Sequence, residues 1–330
     1  MHFDSMLRHG VAALALLAAV PACRPRAGTE SAPAEGFLTG AAGAQIFYQV
    51  AGTGEDTVVV VHGGPGAGID DVRPDLEPLT KSHVVIFYDQ RGGGRSELPK
   101  DTTQLGPGYF TGDLEAVRAH FHLDRMALVA VSFGAIVVAE YARAHPDRIA
   151  RMVFLGATGP NRKEAARFYG RPPVDTALGR RHFELLRTLM EGRADDPVAA
   201  CREEEQLSRE LERAAGEFAG RKGTACNMPP PAVRYYYQYT ARLGPEVFGN
   251  WDYTQSLGGV SAPLLVIDGE RDTLGLPMER AWTRALPNAQ LLIIPDAGRA
   301  VHAERPAAVF PAIDEFLSGR WPMGARPSTS

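Results

Sequence analysis

Six short segments of this chain are almost wholly apolar and rich in β-branched residues: 57–62 (TVVVVH), 83–89 (HVVIFYD), 126–131 (MALVAV), 151–156 (RMVFLG), 263–268 (PLLVID) and 290–295 (QLLIIP). None alternates between apolar and polar residues. A strand with one wet face alternates, whereas a continuous apolar run needs cover on both faces. The cover is present in the intervals. GDLEAVRAHFHL starts near Asp113, GAIVVAEYARAHPDRI runs from Gly134 and ends before Pro146, and MERAWTRAL and PAAVFPAIDEFL close the series as amphipathic helix patterns. Strands alternating with helices predict an α/β chain with a doubly wound, mostly parallel sheet. The rhythm breaks between about residues 160 and 250, where HFELLRTLMEG, CREEEQLSRELERAAGEF and PPPAVRYYYQYTARLG are helical and charged. This stretch is expected to be a helical insertion over the carboxyl edge of the sheet. With 330 residues, 45% of them hydrophobic, the chain can bury a large core. Its net charge of −4 and the lack of a basic patch argue against a nucleic-acid partner.

The first residues read differently. A polar start with Arg8 leads into an apolar run from Val11 to Val20, then Pro21, Ala22 and Cys23. The run is about half the roughly 20 residues that span a bilayer. Residues 1–22 are therefore expected to be a signal peptide, with the mature protein in the bacterial periplasm or cell envelope. The VPAC ending resembles a lipoprotein cleavage site, which makes Cys23 the lipidation candidate and the lipid the only membrane attachment. Plain secretion and a misread start are the alternatives. Residues 23–36 look like a tether. The remaining cysteines, Cys201 and Cys226, are expected to form a disulfide in an oxidising compartment, against the alternative of two unrelated thiols. The segments then fall into a core at 37–159, a cap at 160–257, a second part of the core at 258–320 and a flexible tail at 321–330.

Three motifs carry chemistry. In ALVAVSFGAIVVAEYA a strand runs into Ser132 and a helix leaves at once. The small-x-Ser-x-Gly elbow, Ala130 to Gly134, lets strand and helix approach closely and projects the hydroxyl above the sheet edge. The Phe133 N–H, at the helix start, can donate to an oxyanion. In VVVVHGGPGAG, glycines follow a buried strand and can turn their N–H groups towards an anion. Gly64 is the expected second donor, with Gly63 as runner-up. In FYDQRGGGRSE, Asp89 and Arg91 are placed to tie down a turn by charge-assisted hydrogen bonds.

HGGPG, DQRGGGRS and the SFG elbow together resemble the proline iminopeptidase family of α/β-hydrolases, peptidase family S33. The resemblance covers roughly residues 40 to 160 and 258 to 318. It implies an α/β-hydrolase fold with a helical cap, a nucleophile–acid–histidine triad in that order, and cleavage of N-terminal residues or related small amides and esters. Asp272, in the Gly269 to Asp272 turn, matches the family acid that holds the imidazole, with Asp268 and Glu270 as the weaker candidates. The cap departs from the pattern: family aminopeptidases carry glutamates there for the substrate's amino group, whereas VRYYYQY (233–239) has no acid. Proline specificity is therefore not expected to carry over, and Glu203–Glu205 is the alternative acidic run.

The family's Gly-His, followed by Glu-x-Pro, falls here on Gly298-Arg299 and Glu304-Arg305-Pro306. Arginine cannot serve as a base. His302 is the one histidine after Asp272 and so the candidate base in the right order, three residues late. In a helix that offset is about 4.5 Å, and proton transfer wants about 2.6–3.2 Å between heavy atoms. Three readings stay open: His302 works, the triad is broken, or the base is remote, from His62 or His182. The first makes the protein a serine hydrolase acting through an acyl-enzyme on Ser132. The second makes it a catalytically impaired binding protein for a small-molecule or peptide ligand, with Arg299 fixing an anionic group unless it points outward. Tyr236, among the tyrosines at 235–239, and Trp251 are candidate pocket walls. No cluster of His, Cys and Asp has metal-ligand spacing, so neither metal nor cofactor is expected.

Overall fold

A computed structural model of the chain describes residues 34–169, 176–214 and 220–327. The six apolar runs form β3 (Thr57–Val61), β4 (Val84–Tyr88), β5 (Met126–Val131), β6 (Ile149–Leu155), β7 (Leu264–Gly269) and β8 (Ala289–Ile294). Two further strands precede them, β1 (Glu35–Thr39) and β2 (Gln45–Ala51). The sheet order is β1-β2-β4-β3-β5-β6-β7-β8, antiparallel at β1–β2 and β2–β4 and parallel elsewhere. The inner strands are sealed on both faces, which is why their sequences do not alternate. β1 pairs Glu35 with Gln49, so the last two residues expected in the tether belong to the edge of the sheet.

Helices cover both faces. α1 (Ile69–Leu76), α10 (Val301–Glu304) and α11 (Pro306–Leu317) lie on one side, where Ile69, Val72, Val309 and Ile313 meet Val58, Val60, Leu265 and Ile267. On the other, α2 (Pro107–His120), α3 (Gly134–Ala144) and α9 (Leu276–Ala285) pack Phe110, Leu114, Ile136 and Trp282 against Val59, Leu128 and Phe154. Each such side chain taken fully from water contributes roughly 1.5–3 kcal/mol before entropy is counted. Between β6 and β7 come α4 (Arg162–Tyr169), α5 (Ala177–Met190), α6 (Pro197–Ala214), α7 (Pro230–Tyr235), a π-helical turn at Tyr236–Thr240, and α8 (Ala241–Val247). Leu189, Met228, Val233 and Tyr237 give this cap a small core of its own, around a disulfide between Cys201 and Cys226.

The end of the chain is tied down further than its composition suggests. Arg326 exchanges two backbone hydrogen bonds with Leu291 of β8, and Trp321 packs on Phe316, so residues 321–327 do not form the loose tail expected of them. Among the described residues no helix is long and apolar enough to cross a membrane. The expected signal segment and Cys23 lie outside the described residues.

Candidate active site

Ser132 is the residue at which β5 becomes α3, and its φ is +52°. A non-glycine residue there costs of order 1–3 kcal/mol and persists only when its surroundings hold it. They do: the Ser132 N–H donates to Leu155 O at 3.1 Å, and its carbonyl accepts from Thr158 N at 3.0 Å and Ala135 N at 3.2 Å. The glycine after it is fixed by close approach, because a Cβ at Gly134 would lie 2.3 Å from Val61 O in β3. The small residues of the elbow are there to let helix and strand touch. The Ser132 side chain is half-exposed at the sheet edge, and among the described residues its hydroxyl has no hydrogen-bond partner.

The N–H groups expected to serve as oxyanion donors are equally open. Gly64 has φ +112°, and neither its N–H nor that of Phe133 donates a hydrogen bond among the described residues. Gly63 adjoins the Ser132 side chain most closely, since a Cβ there would be 3.1 Å from Ser132 Cβ and 3.7 Å from Phe133 N. The Phe133 ring is buried against Phe248 and Trp251, with centroids 5.2 and 5.9 Å away. Preceding the glycines, His62 has both ring nitrogens engaged: Gln90 N–H donates to Nε2 at 3.0 Å, which leaves Nδ1–H to donate to Gly63 O at 2.8 Å. Burial lowers its pKa, and it holds the loop rather than serving Ser132. Asp89 accepts from Ile69 N at 2.6 Å and Arg95 N at 2.8 Å, while Arg91 grips Asp113 with two bonds of 2.6 Å. These ties explain the charged residues of DQRGGGRS as loop anchors.

At the end of β7, Asp272 accepts from Gly275 N at 2.8 Å through Oδ1. Its Oδ2 faces no imidazole. The partner is Arg299, whose Nη1 lies 3.4 Å away and whose Nη2 donates to Ala157 O at 3.1 Å. The stem of Arg299 crosses Gly156, where a Cβ would meet its Cγ at 3.0 Å. Ala157 immediately precedes Thr158, which holds the Ser132 carbonyl, so the guanidinium occupies the strip between the serine turn and the acid.

A family model described as alpha/beta hydrolase fold matches residues 56–306. The chain belongs to this family. This hydrolase is 26% identical to a probable proline iminopeptidase of Leptolyngbya boryana, over 83% of this chain and 91% of that protein. It is also 26% identical to one of Streptomyces coelicolor, over 86% and 95%. Among solved structures, the esterase RhEst1 from Rhodococcus sp. ECU1013 superposes with a TM-score of 0.63 at 21% identity, covering 87% of this chain and 99% of that one. The proline iminopeptidase of Mycobacterium smegmatis gives 0.61 at 20%, covering 86% and 97%. At such identities the superpositions speak for the fold. The chain is a proline iminopeptidase-like α/β-hydrolase.

The hydrolase brings Ser132, Phe133, Gly64, Asp272 and Arg299 to one edge of the sheet, but it does not bring His302 there. His302 lies on α10, buried, with no hydrogen bond to Ser132 or Asp272, and among the described residues its Nδ1 has no partner. The charges that it senses are Asp75 of α1 and Arg221 of the cap, and burial lowers its pKa to about 4. The expectation that residues three apart share a face fails for a local reason. α10 starts only after Ala300, so Arg299 is still in the loop and turns to Asp272, while His302 turns under α1. His182 is paired with Glu204 at 2.9 Å inside the cap. The anion-binding role expected of Arg299 also needs correction, since Asp272 already answers its charge. Trp251 does reach the elbow, with its Nε1 donating to Gly159 O at 3.2 Å, whereas Tyr236 packs into the cap core beside Tyr237.

One acid, Glu279, escaped the sequence reading, and Asp268 stood in it only as a weaker candidate than Asp272. Asp268 lies at the end of β7 and Glu279 in the first turn of α9; both are fully buried. A carboxylate closing an apolar strand and another beside the buried Met278, Ala281 and Trp282 were the available signals. Among the described residues no group of three or more His, Cys, Asp or Glu is arranged to hold a metal ion.

Proposed function

We propose that this protein is a proline iminopeptidase-like hydrolase with a disarmed triad, which binds small acyl or peptide-like ligands at Ser132 and turns them over far more slowly than an intact triad does. One observation carries the reading: Asp272 is bonded to the Arg299 guanidinium where the triad requires an imidazole. The elbow, the two open N–H donors and the acid remain, so a carbonyl can still be held over Ser132. What is missing is a group able to take the hydroxyl proton, and loss of a triad histidine costs up to about 10⁶ in turnover. Proline preference has no support in the cap, where 233–239 lacks an acid for the substrate's amino group. A fluorophosphonate probe tests the proposal. Wild type should label slowly and Ser132→Ala not at all; wild-type labelling as fast as that of ordinary serine hydrolases overturns it.

One observation favours a second reading, that of a working serine hydrolase with His302 as its base. The imidazole is neutral at physiological pH and its Nδ1 is unengaged among the described residues, so it is in the protonation state a base needs. It would have to leave α1 to act. Loss of a fast Ser132 reaction in His302→Gln, with the fold intact, would select this reading.

The proposal extends to location: export, with lipid on Cys23. The Cys201–Cys226 disulfide supports an oxidising compartment. Expressed in a Gram-negative host, the full chain should fractionate with membranes, and Cys23→Ser should release it into the soluble periplasmic fraction. Cytoplasmic retention of both would overturn it.

A further inference from the structure

A buried threonine ties the cap to the glycine turns beside Ser132. Thr240 closes the π-helical turn at Tyr236–Thr240, in which Ala241 N–H donates to Tyr236 O. A threonine inside a helix ordinarily turns its hydroxyl back to a carbonyl of its own helix, or outward to water. Thr240 does neither. Fully buried, it donates to Gly92 O of the DQRGGGRS turn at 2.6 Å. Its methyl meets the other glycine turn: a Cβ at Gly66 would lie 2.4 Å from Thr240 Cγ2 and 3.3 Å from Gly92 O. The side chain is thus wedged between HGGPG and DQRGGGRS. Single-turn π-bulges are frequent at functional sites, and this one bears on the loop that carries Gly64.

The two turns are packed as a unit. A Cβ at Gly93 would lie 2.0 Å from Gly66 O, so DQRGGGRS rests on the Gly66 carbonyl. Within HGGPG, a Cβ at Gly64 would lie 2.8 Å from Gly66 N and 2.7 Å from Ala67 N, and the Ala67 N–H closes the turn on Gly63 O at 3.4 Å. Gly66 therefore has no room to shift without carrying Gly64 with it. The far side of DQRGGGRS is held from the cap as well, since Gly94 N–H donates to Met228 Sδ at 3.0 Å. The other expected donor is anchored differently. The Phe133 N–H follows Ser132, whose backbone is bonded to Leu155 and Thr158. One donor is set by the elbow, and the turn of the other is braced by the cap.

We infer that Thr240 is a positioning residue of the ligand site: its hydroxyl, bonded to Gly92 O, locks the cap onto the two glycine turns and so sets the Gly64 N–H that holds a ligand oxygen over Ser132. This rests on the reading of Ser132 and its two donors given above. Loss of the hydroxyl leaves the Gly92 carbonyl without that partner in a buried place and loosens the Gly64 turn, while the surfaces that first bind a ligand stay as they are. The cap is then part of the oxyanion machinery as well as its cover.

Two measurements on the full chain test this. In the first, a fluorophosphonate is applied over a range of concentrations, which separates the limiting rate of labelling from half-saturation. Ser132 Oγ displaces fluoride at phosphorus, and the phosphoryl oxygen takes the oxyanion position. Thr240→Val keeps the shape and loses the hydroxyl; its limiting rate should fall about tenfold, a part of the roughly 10²-fold that removal of a whole oxyanion donor costs, with half-saturation little changed. Thr240→Ser keeps the hydroxyl and should label like wild type. An unchanged limiting rate in Thr240→Val overturns the inference, and so does an equal fall in Thr240→Ser. The second needs no reaction at Ser132. Gly66→Ala drives a methyl onto Thr240 Cγ2, which Thr240→Ser removes; the strain of an alanine at φ +78° is common to both backgrounds and cancels. In a thermal denaturation cycle, Gly66→Ala should therefore cost less with Ser at 240 than with Thr, by about 2 °C or more; additive midpoints overturn the inference. Fast wild-type labelling would sink the disarmed-triad proposal, while the ratio of Thr240→Val to wild type would still decide this one.

Discussion

His302 gives the account a test through stability. Its pKa falls from the ordinary 6.5 to about 4 because burial under α1 penalises the charged ring. The folded state then binds fewer protons at this residue than the unfolded state throughout that interval. Stability from this source is fully present above pH 6.5 and is lost as pH falls through about 4. At about 1.4 kcal/mol per pH unit, the interval amounts to about 3 kcal/mol. The perturbation is His302→Gln, which removes the proton without leaving a large void. Urea unfolding of wild type and variant at several pH values between 4 and 7.5 gives the difference directly. The variant loses some packing at pH 7.5, and wild type should lose ground against it steadily as pH falls, by up to about 3 kcal/mol. A histidine bonded to Asp272 would behave in the opposite way, since a carboxylate partner raises the pKa and makes protonation stabilising. A pH-independent difference, or one of opposite sign, refutes the placement of His302 under α1.

Gly134→Ala should destabilise the fold by about 1–3 kcal/mol, because its Cβ runs into the β3 backbone; denaturant midpoints report it. In an Arg299→His background, Gly63→Ala should cut ester turnover by about 10²-fold with little change in melting temperature, since the new methyl crowds Ser132 and the open N–H of Phe133. Asp113→Ala strands the buried Arg91 guanidinium and should cost about 3–5 kcal/mol in chemical denaturation. Replacing Cys201 and Cys226 by Ala opens a link across 25 residues and should cost about 3 kcal/mol, read as early proteolysis of the cap while the sheet stays protected.

Much of the sheet was legible because β3 to β8 are sealed on both faces, and continuous apolar runs announce that. β1 and β2 were not, because an antiparallel edge lets Gln45 and Gln49 face water and breaks the run. Ser132 could be read from its own neighbours, since the small residues around it are what a strand-to-helix elbow demands. The acid side could be read only in part. The turn after β7 singled out Asp272, but its partner arrives from the loop after β8, and sequence order offered His302 as readily as Arg299. Which of them turns inward depends on α10 starting after Ala300, a boundary that one residue's backbone decides. Asp268, a weaker candidate for the acid, and Glu279, one charge among several in MERAWTRAL, are both buried, which follows from the packing of α9 against β7 and β8.

The most direct test of the vacated imidazole is kcat/KM for hydrolysis of an activated ester or an aminoacyl arylamide between pH 8 and 9, in wild type and Arg299→His. The account predicts a gain of at least about 10³ in the variant, abolished by adding Ser132→Ala, as expected from returning part of what a triad histidine contributes. Wild-type turnover at rates typical of intact triads, lowered by Arg299→His, would contradict it.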